Sequence, residues 1–151
     1  MRTAIVRWSV TCGVATVIAG VVYHAGTTVQ AQRELARQSR AEIGVSVIDF
    51  QKQHAAGEVL PVDVRSAASF AEGHISGAVG LPLADLIAGT ADMSWLRRTA
   101  GARLVVTYCA CPTEASSLRA ADLLRAGGIE ARALVGGYDA WVDAGGAIER
   151  Q

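Results

Sequence analysis

Cys109 and Cys111 stand two residues apart, directly after the apolar run 103–108 and ahead of the helix-prone stretch 112–126. That placement suits a reactive thiol. The first N–H groups of a helix lack partners within it and form the positive end of its dipole. Such surroundings lower a thiol's pKa, favour the nucleophilic thiolate and bind anions. The same pair has other uses. It can be a passive pair or a disulfide, or a C-x-C thiol–disulfide redox couple whose tight ring makes it oxidising. A metal is not expected. Two Cys without a second Cys/His pair make half a zinc site, and His24, His54 and His74 are scattered. No cofactor is implied. The third cysteine, Cys12, lies in an apolar stretch and reads as a small buried hydrophobe.

The elements around the pair position it. Residues 59–64 and 103–108 read as buried strands, 78–81 and 129–135 as further strands. Ser46 and Ser66 are placed to cap short helices, the first with Asp49 in its opening turn, ended by Gly57 and Gly73. Residues 83–100 read as two short helices broken at Gly89 and Thr90. Residues 112–126 read as a helix with Pro112 at its first position and a buried stripe of Ala115, Leu118, Ala121 or Asp122, and Leu124 or Arg125, stopped by Gly127 and Gly128. Gly136-Gly137 opens a last helix over 138–144. Strands alternating with helices predict an α/β fold, a parallel sheet with helices on both faces. Ligands of such sheets bind beyond the carboxyl ends of the strands, where Arg65 and Cys109 fall.

The chain of 151 residues has room for about one domain. Fourteen basic and fourteen acidic residues cancel, and no basic cluster stands out, so no nucleic-acid partner is expected. A hydrophobic share of 51% against 19% charged excludes wholesale disorder. Part of that share is local. No Lys, Arg, Asp or Glu occurs between Arg7 and Arg33, and about 20 apolar residues cross a bilayer. Residues 1–30, with Arg2 and Arg7 leading, therefore read as a transmembrane anchor, or as a signal sequence cut near Ala31. The expected location is a membrane-anchored chain whose soluble domain is extracytoplasmic, periplasmic in a bacterium, or a secreted one if residues 1–31 are removed. Residues 31–45 read as a polar linker helix, and 46–151 as the domain proper.

Three motifs in that domain resemble the rhodanese-like (sulfurtransferase) family. They are Pro61-Val-Asp-Val-Arg65 followed by Phe70-Ala-Glu-Gly-His-Ile-Ser-Gly-Ala-Val79 and Leu81-Pro82, the apolar strand running into Tyr108-Cys109, and Gly136-Gly137-Tyr138-Asp139-Ala140-Trp141. The resemblance implies a rhodanese-like sheet and a cysteine that takes sulfane sulfur from a small donor, becomes a persulfide and yields it to a small thiol or a protein thiol. Carried over, Cys109 is the nucleophile, and Ala110, Cys111, Pro112, Thr113, Glu114 and Ala115 form a loop whose backbone N–H groups hold the sulfur. Asp63, Arg65, Gly136 and Gly137 support the site, the first two as an ion pair or loop brace. His74 fixes its turn; Trp141, Phe70 and Trp95 are packing residues.

The loop departs from the family pattern in two ways. Ala120-Ala121 lie eleven residues after Cys109 and nine after Cys111, so alignment on the strand makes Cys109 the nucleophile and alignment on the helix makes it Cys111. Pro112 has no N–H to offer a cradle centred on Cys111, which favours Cys109 and leaves Cys111 a resolving or second sulfur-carrying role. The loop also has no Arg or Lys. Its charge is Glu114, which would repel an anionic donor unless it points outward or supports the helix start. Ala115 stands six residues after Cys109, where phosphatase and arsenate-reductase loops need Arg, so phosphate chemistry is not expected. Two further functions stay open beside sulfur transfer: a non-catalytic binding module at the membrane, and a C-x-C redox module.

Overall fold

The computed structural model describes residues 43–151 and, ahead of them, positions 30, 31, 34 and 38, which are helical. The anchor read over 1–30 lies outside the described residues apart from Gln30, as does most of the linker. Among the described residues no helix is long and apolar enough to cross a membrane. The chain divides into two compact units, Met1–Gln38 and Ser39–Gln151; the site belongs to the second.

That unit is built on a five-stranded parallel sheet. Its strands are β1 (Gly44–Val45), β2 (Val59–Asp63), β4 (Val79–Gly80), β5 (Leu104–Tyr108) and β6 (Ala131–Leu134), in the order β1-β6-β5-β2-β4. β3 (His74–Ile75) and β7 (Ile148–Glu149) form a small antiparallel pair. The helices are α1 (Val47–Ala55), α2 (Ala67–Glu72), α3 (Leu83–Ala88), α4 (Met93–Ala100), α5 (Ala115–Ala126) and α6 (Gly137–Asp143).

Successive side chains of a strand point to opposite faces, and the two buried clusters follow that rule. Leu60, Val62 and Val105 join Leu96, Ala100, Ala120, Ala121 and Leu124 of α4 and α5 on one face. Val59, Val106 and Tyr108 join Phe50 of α1, Ile75 and Trp141 of α6 on the other. Pro61 inside an interior strand is unusual, and the register shows why it is tolerated. Val64 N–H donates to Tyr108 O and Leu81 N–H to Asp63 O. Even-numbered residues of β2 thus turn their peptide groups toward β5, and odd-numbered ones toward β4. Pro61 faces the β4 side, where pairing reaches only Val62 and Asp63, so no ladder bond is lost.

Caps fall where the sequence places them. Ser46 accepts from Asp49 N–H and Ser66 from Ser69 N–H. Four readings need correction. Gly44 and Val45 are not the end of a linker helix but strand β1, paired with Ala133 and Leu134 of β6. Ile43 and Val45 are buried, and two residues are too few to show a period. The helix after the cysteines starts at Ala115, not Pro112. Its buried stripe is Ser117, Ala120, Ala121 and Leu124, rotated from the expected one. In α4 it is Leu96 that is fully buried, while Trp95 is exposed.

Candidate active site at the carboxyl end of β5

β5 ends at Tyr108, and Cys109 follows with 3% of its surface exposed. Its carbonyl is fixed from the far side by Tyr138 N–H at 2.9 Å. Cys109 and Cys111 are joined by a disulfide, their Cα atoms 5.6 Å apart. Cys111 is only partly buried and packs against the α4/α5 cluster. Its N–H points at Cys109 Sγ, 3.4 Å away.

Between Cys111 and α5 the chain makes a tight turn, with Glu114 N–H donating to Cys111 O at 3.1 Å. Pro112 is the second residue of that turn, a position its fixed φ favours, and this is why it does not open the helix. Glu114 then adopts φ 51°, the one non-glycine residue with positive φ among those described. Such a backbone costs about 1–3 kcal/mol and gathers at functional sites. The turn and the left-handed residue fill the span between the strand end and α5. They let Cys109 keep its place at the strand end while α5 starts later.

Glu114 does not point outward. It is buried, and its Oε1 accepts from Gly136 N–H at 2.8 Å. Rather than capping α5, it ties the cysteine loop to the Gly136-Gly137 turn. Both glycines have positive φ, 78° and 59°, and a Cβ on Gly137 would collide with the Cys109 carbonyl. A residue missed in the sequence also borders the sulfur. Ser117 is fully buried, its Oγ 3.7 Å from Cys109 Sγ and donating to Glu114 O at 3.0 Å. Thr107 Oγ1 in turn donates to Ser117 O at 2.8 Å. The signal was available: a Ser in the first turn of the helix after the cysteine, in step with buried Ala120, Ala121 and Leu124.

Asp63 and Arg65 form an ion pair. Arg65 Nη2 lies 2.6 Å from Asp63 Oδ2, Nε is 3.0 Å from both carboxylate oxygens, and Arg65 N–H donates to Oδ1 at 2.9 Å. Nη2 also donates to Gly73 O at 2.5 Å. The guanidinium sits over the Tyr138 ring, 4.1 Å from its centroid. Burial alone would lower the Arg65 pKa, but the Asp63 carboxylate outweighs it and raises it. Burial, with Asp63 beside it, pushes the Tyr108 hydroxyl well up, so it stays protonated; that hydroxyl accepts from Ile75 N–H at 3.1 Å. Arg65 thereby supports Tyr138, whose backbone holds Cys109, and its fork is committed to Asp63 and Gly73. His74 is stacked on Phe70 at 3.8 Å and bonded to Phe70 O at 2.8 Å, and Trp141 Nε1 donates to Ala147 O at 3.0 Å. A cavity of about 230 Å³ opens at this end of the sheet, lined by Arg65, Ala67, Phe70, Gly80, Pro82 and Gln151. No group of three His, Cys, Asp or Glu side chains able to hold a metal is gathered among the described residues.

The geometry is that of a buried sulfur at a strand end, with Cys111 N–H at 3.4 Å and Ser117 Oγ, in the first turn of α5, at 3.7 Å. Comparison with known proteins gives the fold a family. The chain is 31% identical over 104 residues to the HTH-type transcriptional regulator Rv0324 of Mycobacterium tuberculosis, covering 69% of this chain but only 43% of that relative's length. Among solved structures, the BH2092 protein of Bacillus halodurans superposes with a TM-score of 0.62 at 23% identity, over 80% of this chain and 85% of its own. A thiosulfate sulfurtransferase of Pseudomonas aeruginosa superposes with a TM-score of 0.59 at 22% identity, over 77% of this chain and 22% of that one. At these identities the two structures speak for the fold. The family profile "Rhodanese-like domain" matches residues 46–144, and the chain belongs to the rhodanese-like domain family.

Proposed function

We propose that the chain is a sulfurtransferase that carries sulfane sulfur as a persulfide on Cys109. One observation carries the reading: Cys109 Sγ, buried at the end of β5, already holds a second sulfur in covalent bond within the loop. A sulfane sulfur makes the same kind of bond at the same atom. In the loading step the Cys109 thiolate attacks the sulfane sulfur of a donor such as thiosulfate, forming the S–S bond and expelling sulfite. In the unloading step a thiolate acceptor, small or on a protein, attacks the outer sulfur and Cys109 leaves as thiolate. The anion is held by backbone N–H groups, since the loop has no basic side chain and the Ser117 hydroxyl proton is given to Glu114 O.

The test uses the reduced full chain carrying Cys111→Ser and Cys12→Ser, so that no other thiol competes. Incubation with thiosulfate or benzenethiosulfonate should add one sulfur atom by intact mass, and the further change Cys109→Ser should abolish it. Absence of the adduct with both donors, or its survival without Cys109, overturns the assignment. The disulfide favours a second reading, plain thiol–disulfide exchange through Cys109 and Cys111. It expects oxidation of a partner dithiol by the bridged form and no sulfur adduct on the same variant. The membrane attachment belongs to this proposal too, supported by the uncharged span 8–29. The full chain should stay with membranes through an alkaline carbonate wash, and its release would remove the anchor.

A further inference from the structure

The sulfurs of Cys109 and Cys111 are bonded to each other. Cys111 Sγ therefore occupies the position at Cys109 Sγ that a sulfane sulfur takes in a persulfide. The two sulfurs compete for one bond. From this we infer that Cys111 is a resolving thiol, which ejects the carried sulfur as sulfide by closing the disulfide on Cys109. The inference rests on the persulfide reading above and gives it a second, intramolecular way of unloading, with its own product and partner.

The step balances. The Cys111 thiolate attacks the inner sulfur of Cys109–S–SH. The Cys109–Cys111 bond forms, the bond to the outer sulfur breaks, and that sulfur leaves with its bonding pair and its proton as HS⁻. The sulfane sulfur gains two electrons, and the two cysteine sulfurs lose them together. The site of attack is set by the structure, because the bond present joins Cys111 to the Cys109 sulfur itself. Attack on the outer sulfur would instead move the persulfide to Cys111 and release nothing.

The loop is built to hold this geometry. Cys109 is fixed through Tyr138 N–H to its carbonyl, and Cys111 through its carbonyl to Glu114 N–H. Pro112 stiffens the turn between Cys111 and Glu114. The resting disulfide then needs a reductant, and the exposure of the two sulfurs says where it acts. Cys109 is 3% exposed, whereas Cys111 is partly open. Exchange depends on which sulfur can be reached, so an incoming thiolate bonds to Cys111 and Cys109 leaves as thiolate, the form that loads next. The second thiol of a dithiol reductant then frees Cys111, and the reductant departs as its own disulfide. The implied partner is a dithiol, either small or on a protein.

The experiment compares the reduced full chain carrying Cys12→Ser with the same chain also carrying Cys111→Ser, or Cys111→Ala should the serine fail to fold. Each is given thiosulfate or benzenethiosulfonate without added thiol. Free sulfide and intact mass are followed. The chain with both loop cysteines should release one equivalent of sulfide and end two hydrogens lighter. The Cys111 variants should keep the added sulfur and release sulfide at least about tenfold more slowly, the least that a neighbouring thiol held in contact should gain. Persistence of the added sulfur with Cys111 present, or sulfide release from the variants at the same rate, overturns the resolving role and leaves the persulfide reading standing. Failure of both Cys111 variants to take up sulfur from either donor overturns the persulfide reading, and the resolving role with it.

Discussion

β2 and β5 are parallel neighbours whose last residues, Asp63 and Tyr108, are register partners, yet their carboxyl ends are put to opposite uses. The end of β2 carries a full positive and a full negative charge, and both are committed. Asp63 is completely buried with Arg65 folded over it, and the remaining reach of Arg65 goes to Gly73 O and the Tyr138 ring. The end of β5 carries two sulfurs and no cation. Its one charged side chain, Glu114, is turned away to hold Gly136 N–H. The cation at β2 thus braces its own strand end, and any anion held at β5 must rely on backbone N–H groups, since the Ser117 hydroxyl donates to Glu114 O. The two ends are joined through Tyr138, whose ring packs under Arg65 and whose N–H holds the Cys109 carbonyl. Charge at one strand end thus supports the backbone of the cation-free site at the other.

The largest effect should come from breaking the β2 end. Asp63→Asn leaves a guanidinium without its counter-charge, which for a buried pair costs about 3–5 kcal/mol. Because Arg65 keeps some solvent access, with 13% of its side chain exposed, about 3 kcal/mol is expected, read from urea unfolding. The double change Asp63→Asn with Arg65→Leu should recover part of it, since no uncompensated charge then remains. A loss below about 0.5 kcal/mol, the level of an exposed ion pair, would show that the β2 end is not a brace.

A smaller loss is expected where the two ends meet. Gly137 has φ 59°, and a Cβ there would run into the Cys109 carbonyl. Gly137→Ala should cost about 1–3 kcal/mol from backbone strain alone, and the displaced carbonyl should carry Cys109 with it. Sulfur loading should then fall by more than the stability loss explains. If thermal unfolding shifts and loading does not, the turn supports the fold without positioning the sulfur.

What the sequence showed of this arrangement follows the reach of each signal. The buried strands β2 and β5 were legible because the short runs 59–62 and 104–106, rich in β-branched Val, leave few alternatives, and Ser46 and Ser66 because a cap acts within three residues. β1, β3 and β7 were not, since each is two residues long and exists through pairing with a distant segment. Cys109 and Cys111 were legible as the candidate thiols, but the turn that joins them to α5 was not. That turn, closed by Glu114 N–H on Cys111 O and followed by left-handed backbone at Glu114, leaves no mark in the spacing of apolar residues. Glu114 was legible as an anomaly and not as a brace, because its partner Gly136 is 22 residues away and no local pattern names it. Ser117 was hidden by a helix stripe started at Ala115 and Leu118, which passes over the buried hydroxyl between them.

Glu114 also gives the finest test of the contrast, because one change can remove its charge and keep its bond. The carbonyl oxygen of a glutamine can accept Gly136 N–H as Oε1 does, so Glu114→Gln should change stability by less than about 1 kcal/mol. The loop would then have no formal side-chain charge besides a thiolate. If charge and not shape limits entry of an anionic donor, loading from thiosulfate should rise about threefold to tenfold, roughly 1 kcal/mol of barrier. Loading from an uncharged trisulfide should rise less, since the substitution removes repulsion between carboxylate and donor and leaves the N–H groups as they were. Added salt should narrow the gap between the two chains, as it screens whatever part of the repulsion passes through solvent. Equal gains with both donors would place the effect in loop geometry, and no gain with either would mean that the Gly136 bond has already neutralised the carboxylate's influence on the sulfur.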